Sequence, residues 1–214
     1  MHIQSCKSAA QNSGLTKNEV NALLDIAKQA AEKGGASLMN NYGKIKTVKC
    51  KGTLGDLVTN ADIECEKLII EYLEKETPKI SILAEESGFK LKDGELKWCI
   101  DPLDGTTNYA HGYPLFGTSI GLIWNNNPIL GAISVPSLKE IYYASPDHGS
   151  FCNGEKINVT NTNSISDSLL VTGFAYDRRQ VLDNNYSEFC WLTHRTHGVR
   201  RGGAAAVDLA FVAS

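Results

Sequence analysis

Three acidic residues in the middle of the chain follow short apolar runs, in a pattern typical of a metal-binding site. Glu85 comes shortly after the apolar run 80–83, Asp101 comes directly after the run 96–100, and Asp104 lies three residues further on. Because strands end at the rim of a sheet, where loops build sites, we expect these carboxylates to lie together there. Magnesium prefers hard oxygen ligands, and paired ions can activate a water molecule and stabilise the leaving oxygen of a phosphate ester. The spacing therefore indicates metal-assisted phosphate chemistry.

The turn that carries two of these acids also has features of an anion-binding loop. Pro102 restricts the backbone, and Gly105 permits a close approach or a positive φ. The N–H groups of Gly105, Thr106 and Thr107 could cradle a phosphate at a helix N-terminus. Aspartate, proline and glycine are also common in ordinary surface turns. The flanking segments are strongly apolar, however, and buried carboxylates without a cation are costly.

The surrounding patterns predict the elements that position this turn. A capping-box pattern at Thr16–Glu19 opens a helix with a 3.6-residue apolar period, and a second helical stripe covers residues 65–73. Strand patterns follow, and two further helices are predicted beyond them, at 180–192 and 204–213. Two helices, a largely antiparallel sheet and then alternating elements predict an α+β fold, a layered α-β-α-β sandwich. Residues 1–15 carry no pattern, and we expect them to be disordered or frayed.

Composition restricts the class of protein. The chain has 214 residues, of which 42% are hydrophobic, enough for a real core. The net charge of −3 argues against a nucleic-acid footprint, which needs a basic face. No apolar run approaches the roughly 18 residues of a membrane span, and the six scattered cysteines show no zinc spacing. We expect a cytoplasmic protein with reduced cysteines; a short organelle-targeting leader within residues 1–14 stays open.

Five segments together resemble the inositol monophosphatase family. The stretch 98–114, WCIDPLDGTTNYAHGYP, resembles the family's signature segment. Further elements are similar in family order: DLVTNAD at 56–62, LAEES at 83–87, GSFCNGEK at 149–156 and RRGGAAAVDL at 200–209. The resemblance covers residues 16–214 and implies one domain with a sandwich of the sugar-phosphatase type.

The resemblance also implies a set of metal ligands and a catalytic group. Two or three Mg²⁺ ions would be bound by the Leu103 carbonyl and by the carboxylates of Glu85, Asp101 and Asp104. Thr106 would assist Glu85 in orienting and deprotonating the attacking water, and Asp62 would hydrogen-bond Thr106. Outside the matched segment, Asp62 would simply be a first-turn helix acid, and Leu103 a packed turn residue.

By the same resemblance, two segments would contact the substrate. The first contains four signature residues, Leu103, Asp104, Gly105 and Thr106. The second would use backbone groups of Gly203, Ala204 and Ala205, whose small side chains leave room for a polyol. Close helix packing explains the small residues equally well, and a surface salt bridge is an equal alternative for Arg200 as a substrate contact. Lys51 is either a basic residue on a loop near the metals or a solvated lysine.

The implied activity is Mg²⁺-dependent hydrolysis of a small phosphate monoester, with inositol monophosphate as the default substrate. Histidinol phosphate, a sugar phosphate or 3′-phosphoadenosine phosphate are alternatives within the family. Family members commonly form homodimers and are inhibited by lithium. A WDxxAG segment, whose aspartate ligates a further magnesium in the family, does not occur here. We therefore expect a chain truncated at its C-terminus, with the last layers missing; a non-catalytic metal- or phosphate-binding module, or an interaction partner, is the alternative.

Overall fold

The computed structural model describes residues 4–44, 48–50, 57–182 and 184–214, and the side chains of all of these except 4–6, 49 and 50. The helices are α1 Gln4–Asn12, α2 Lys17–Asn41, α3 Asn60–Glu76, α4 Thr106–Ala110, α5 Tyr186–Thr193 and α6 Ala205–Val212. The strands are β1 Val48–Cys50, β2 Leu57–Thr59, β3 Ser81–Ala84, β4 Gly88–Lys90, β5 Leu96–Asp104, β6 Gly117–Trp124, β7 Asn127–Val135, β8 Glu140–Ser145, β9 Gly149–Cys152, β10 Glu155–Lys156, β11 Leu169–Val171 and β12 Gly198–Arg200.

An eight-stranded sheet forms the centre of the molecule, in the order β10-β9-β8-β7-β6-β5-β3-β4. Every neighbouring pair in it is antiparallel except β3 and β5, which run parallel with Ala84 opposite Ile100. The carboxyl ends of β3 and β5 therefore meet at one edge. The residues that follow these positions, Glu85 and Asp101, are brought to the same place by strand pairing.

Helices α2 and α3 pack together, and α2 lies against β6, β7 and β8. The buried face of α2 is rich in alanine and contains Gly34 and Gly35. A Cβ added to Gly34 would lie 2.7 Å from Thr118 Cγ2, and one added to Gly35 would lie 2.5 Å from Ser134 Oγ. The glycines let the helix approach the sheet backbone closely, which fixes the strands beneath it.

Both predicted helix starts are confirmed by their caps. Thr16 accepts from the Glu19 N–H while Glu19 bonds back to the Thr16 N–H, as a capping box requires. Thr59 and Asp62 form the same arrangement at the start of α3. The α+β sandwich is confirmed, and the sheet is mixed through its single parallel pair.

The structure differs from the sequence prediction at the N-terminus. Residues 4–12, expected to be disordered or frayed, form α1, because Ala9 is buried in the core and α1 contacts β7. Packing against the core thus stabilises a short helix that the local sequence pattern does not predict. The predicted helix at 180–192 begins only at Tyr186, and the predicted loop 49–55 begins with two residues of β1. Residues 51–55 of that loop lie outside the described residues.

Two small sheets lie outside the central one. β1 and β2 pair antiparallel, and β11 and β12 pair parallel with Val171 opposite Arg200. β12 leads directly to the segment 201–204 that precedes α6. The short β11–β12 pair therefore positions the part of the chain that faces residues 101–107, called the signature turn below.

Candidate active site

Glu85 and Asp101 come together at the edge formed by the parallel strands β3 and β5. Burial raises the pKa of Asp101, and the negative charges of Glu85 and Asp104 raise it further. A hydrogen bond with the Glu85 side chain acts in the same direction. Two carboxyl groups can share a hydrogen bond only when one of them carries a proton. The pair is therefore a site of concentrated negative charge that a proton or a cation stabilises.

Asp62 and Thr106 meet beside this pair. Thr106 Oγ1 donates to Asp62 Oδ1 at 3.1 Å and also lies 3.0 Å from the Leu103 carbonyl oxygen. The other Asp62 oxygen accepts from the Thr59 N–H at 2.8 Å and from the Thr59 hydroxyl at 2.5 Å. Asp62 is thus both the acid of the α3 capping box and the partner of Thr106. Sequence analysis left two alternatives for Asp62, a first-turn helix acid or a hydrogen-bond partner of Thr106, and the structure shows both contacts.

Asp104 faces the beginning of α6. Its Oδ1 accepts from the Ala205 N–H at 2.8 Å, and its Oδ2 accepts from the Val207 N–H at 3.1 Å. Burial raises the pKa of Asp104, and these backbone N–H groups oppose the shift. Asp104 therefore satisfies the free N–H groups of a helix start, a function that the sequence prediction did not include.

The donor set at the parallel edge fits a hard divalent cation. It combines the Glu85 and Asp101 carboxyls with the Leu103 carbonyl, all of them oxygen donors. Within the residues that the structure describes, no three Asp, Glu, His or Cys side chains converge on one point. Asp104 is turned toward α6, as its two hydrogen bonds show. Its assignment as a third carboxylate ligand stays a proposal.

A cavity of about 520 Å³ lies next to the signature turn. Its walls include five of the predicted substrate residues, namely Asp104, Gly105, Gly203, Ala204 and Ala205, together with Thr107. Gly105 has a φ of 89°, and a Cβ there would lie 3.0 Å from both Ala204 Cβ and the Leu115 carbonyl oxygen. Only glycine fits this junction without strain. Glu85 and Asp101 line a separate opening of about 340 Å³.

Two of the described arginines lie at this cavity, and Arg200 is not one of them. Arg201, Arg178 and Asp208 line the cavity, whereas Arg200 does not. Burial raises the pKa of Asp208, the Asp104 charge acts in the same direction, and Arg201 opposes both. The sequence prediction named Arg200 as a substrate contact, with a surface salt bridge as an equal alternative, and did not consider Arg201. The strand ends at Arg200, so the next side chain is the one that reaches the cavity.

Asn108 is a second residue that sequence reasoning missed. Its Nδ2 donates to the Leu115 carbonyl at 2.7 Å and to the Gly202 carbonyl at 2.8 Å. The side chain thereby ties α4 to the segment that carries Gly203. Its place in the signature segment, two residues after Thr106, was the available signal. Lys51 lies outside the described residues.

The sequence and the fold of this chain are similar to those of known proteins. The family model described as "Inositol monophosphatase family" matches residues 19–214. The chain is 45% identical over 207 residues to an inositol-1-monophosphatase of Synechocystis, covering 96% of this chain and 72% of that protein. It is 38% identical to the chloroplastic phosphatase IMPL1 of Arabidopsis thaliana, covering 89% of this chain and 53% of that one.

Solved structures agree with these sequence matches. The inositol monophosphatase from Anabaena superposes with a TM-score of 0.79 at 47% identity, covering 90% of this chain and 71% of that one. The IMPase TM1415 of Thermotoga maritima gives 0.80 at 33% identity, over 89% and 72% of the two chains. This chain belongs to the inositol monophosphatase family. None of the helices within the described ranges is long and apolar enough to cross a membrane.

Proposed function

We propose that this protein hydrolyses a small phosphate monoester with bound Mg²⁺, and that inositol monophosphate is its substrate. The observation that carries the proposal is the position of the Glu85–Asp101 pair beside the Asp62–Thr106 hydrogen bond. Two carboxyl groups this close together favour a counter-cation, and a hydroxyl oriented by a carboxylate is suited to holding a water molecule. These two features, contributed by α3, the end of β3 and the segment from β5 to α4, support metal-assisted hydrolysis.

The relatives' names support this class of substrate. Apart from the Synechocystis protein, a relative from Aquifex aeolicus, 36% identical over 192 residues, is named fructose-1,6-bisphosphatase/inositol-1-monophosphatase. Both names describe phosphate esters of small polyols or sugars. The cavity of about 520 Å³, whose wall includes the small residues Gly203, Ala204 and Ala205, has room for such a molecule.

Different residues would bind the metal, orient the water molecule and accept its proton. Glu85, Asp101, Asp104 and the Leu103 carbonyl would hold Mg²⁺, which when bound supplies Lewis-acid activation of water and of the phosphate oxygens. Asp62 holds the Thr106 hydroxyl in place, and Thr106 Oγ1 orients the attacking water. The Glu85 carboxylate accepts the proton that this water loses.

The substrate would lie against two backbone segments. N–H groups at Gly105–Thr107 face the phosphate, and backbone groups of Gly203–Ala205 face the hydroxyls of the polyol. Arg201 supplies positive charge at the same cavity and replaces Arg200 as the proposed substrate arginine. Charge-assisted hydrogen bonds of this kind both orient and bind an anion.

The test is phosphate release from inositol 1-phosphate, with and without Mg²⁺, by the wild-type chain and by Asp101→Asn. Magnesium-dependent release that the substitution abolishes is the expected result. Fructose 1,6-bisphosphate, histidinol phosphate and 3′-phosphoadenosine phosphate, run in parallel, would identify another substrate of the same class. The absence of release from every one of these esters would contradict the proposal.

A second candidate function is a non-catalytic metal- or phosphate-binding module. Two observations favour it: both Asp104 oxygens are bonded to α6, and relatives from Pseudomonas aeruginosa and Haemophilus influenzae are named Nus factor SuhB. In this case Mg²⁺ or phosphate would bind, measured by calorimetry, while no ester would be hydrolysed.

Family membership further supports a cytoplasmic homodimer that lithium inhibits. Sedimentation measures the oligomeric state directly. Lithium at millimolar concentration should lower the magnesium-dependent release of phosphate, and a rate independent of lithium would contradict this part of the proposal.

A further inference from the structure

The turn that carries the proposed metal ligands interrupts the β5–β6 ladder. Asp101 pairs with Ser119 and Asp104 pairs with Gly117. Between these two pairs β5 advances by three residues while β6 advances by two, so β5 contains one extra residue. This is a β-bulge, which leaves backbone groups without their ladder partners. Pro102 lies inside the bulge and has no N–H to donate, and its carbonyl still needs a partner when it is buried.

Two side chains supply that partner. Thr118 Oγ1 donates to the Pro102 carbonyl at 3.0 Å, and Cys65 Sγ donates to the same oxygen at 3.3 Å. Thr118 and Cys65 are both 0% exposed. The threonine hydroxyl is the stronger donor, because a thiol donates only weakly. The peptide between Asp101 and Leu103 is thus held from β6 and from α3.

The position of Thr118 is fixed in turn by α2. A Cβ on Gly34 would lie 2.7 Å from Thr118 Cγ2 and 2.9 Å from its Oγ1. Any side chain at residue 34 would therefore displace the hydroxyl. The glycine and the threonine form one contact between the helix layer and the metal-binding turn.

The geometry points to Thr118 as a positioning residue that holds the Pro102 peptide and thereby aims the Asp101 carboxylate and the Leu103 carbonyl at a shared cation. The inference rests on the proposed function, because it assigns these two groups to a metal. Residues that orient metal ligands typically contribute about tenfold to a hundredfold in metal affinity. Cys65 acts on the same carbonyl more weakly.

The experiment compares Thr118→Val, which loses the hydroxyl at nearly constant shape, with Thr118→Ser, which keeps it. The probe is the metal alone: Mn²⁺ binding followed by electron paramagnetic resonance, in the complete chain without substrate. We expect about tenfold weaker binding in Thr118→Val and near wild-type binding in Thr118→Ser. Equal loss in both variants, or no loss in either, overturns the inference.

A second measurement needs no metal. Amide hydrogen exchange in the peptide that covers residues 101–106 should be faster in metal-free Thr118→Val than in wild type, and unchanged in Thr118→Ser. A uniform increase across the whole chain would indicate general destabilisation and overturn the positioning role. If the wild-type chain binds no Mn²⁺, the proposed function fails, whereas wild-type binding that Thr118→Val leaves intact removes only this inference.

Discussion

The two sides of the candidate site are built in different ways. The inner side, defined as Asp62, Glu85, Asp101 and Thr106, is attached to the central sheet and to α3. The outer side, defined as Arg178 and residues 201–205, follows the short β11–β12 pair and faces a cavity. Within the inner side, Asp62 is held by buried hydrogen bonds with Thr59, while Asp104 and Asn108 bond to the outer side. Under the proposed function, the inner side would hold the metal and the attacking water, and the outer side would contact the substrate.

The largest effect that would test this division comes from Asp101→Asn. We expect phosphate release to fall at least a hundredfold, because a proposed metal ligand loses its charge. The metal-free protein should be no less stable, because burial and neighbouring carboxylates disfavour the Asp101 charge. Phosphate assays and urea unfolding measure the two quantities. The exposed Asp93→Asn is the matched control, and a large loss of stability in Asp101→Asn would contradict the reasoning.

Asp62→Ala should damage stability and turnover together. It removes the α3 capping box, which costs about 1–2 kcal/mol of unfolding free energy, and releases the Thr106 hydroxyl. Urea unfolding and initial rates measure the two effects. Glu19→Ala is the control, since it breaks the other capping box far from the site. Normal activity in Asp62→Ala would show that the reaction does not need the hydrogen bond between Asp62 and Thr106.

The inner side and the neighbouring Asp104 should also give the metal-free protein a characteristic pH dependence. Burial raises the pKa of Asp62, Asp101 and Asp104, so the folded state binds more protons than the unfolded state above the ordinary carboxyl range. Stability from these groups is full below that range and is lost as pH rises through the raised values, by up to about 1.4 kcal/mol per pH unit for each proton. Urea unfolding without metal should show this slope.

Asp101→Asn should flatten that slope, because it removes one of the groups that bind the extra protons. Saturating Mg²⁺ should flatten it as well, since a cation favours the charged carboxylates. If the slope is the same in wild type and in Asp101→Asn, groups other than Asp101 cause the pH dependence of stability, which would contradict this prediction.

The smallest effect is expected on the outer side. Arg201→Gln should raise KM for inositol 1-phosphate about three- to tenfold and leave kcat and stability near wild type, because it removes a charge at the cavity without touching the turn. Arg200→Gln is the adjacent matched control and should leave KM unchanged. The reverse result, with Arg200 as the sensitive residue, would restore the assignment made from the sequence.

The meeting of Glu85 and Asp101 on the inner side was predictable, because it depends on the pairing of two strands that the sequence pattern indicates. Glu85 and Asp101 each follow an apolar run, and the structure pairs those runs in parallel. The capping pattern of Thr59 and Asp62 is local and is therefore readable from the sequence. The Asp62–Thr106 contact came from the family resemblance, and the hydrogen bond at 3.1 Å confirms it.

The outer side was harder to predict because it depends on long-range docking. The sequence gives no sign that Asp104 accepts from two N–H groups of α6, or that Asn108 reaches Gly202. Arg201, which lines the cavity, was not named from the sequence, and the end of β12 that precedes it is a boundary that sequence patterns locate only approximately. The helix α1 was missed for the same reason, since it is stabilised by contact with β7.

The link between Asp104 and α6 has a consequence for the order in which the protein matures during synthesis. Chains emerge from the ribosome N-terminal end first, and domains begin to fold as they emerge. Asp104 is made well before its partners, which follow it by 101 and 103 residues. The central sheet can therefore assemble on the nascent chain while this carboxylate has no backbone partner. The cavity wall closes in a late step of maturation, after α6 has been translated.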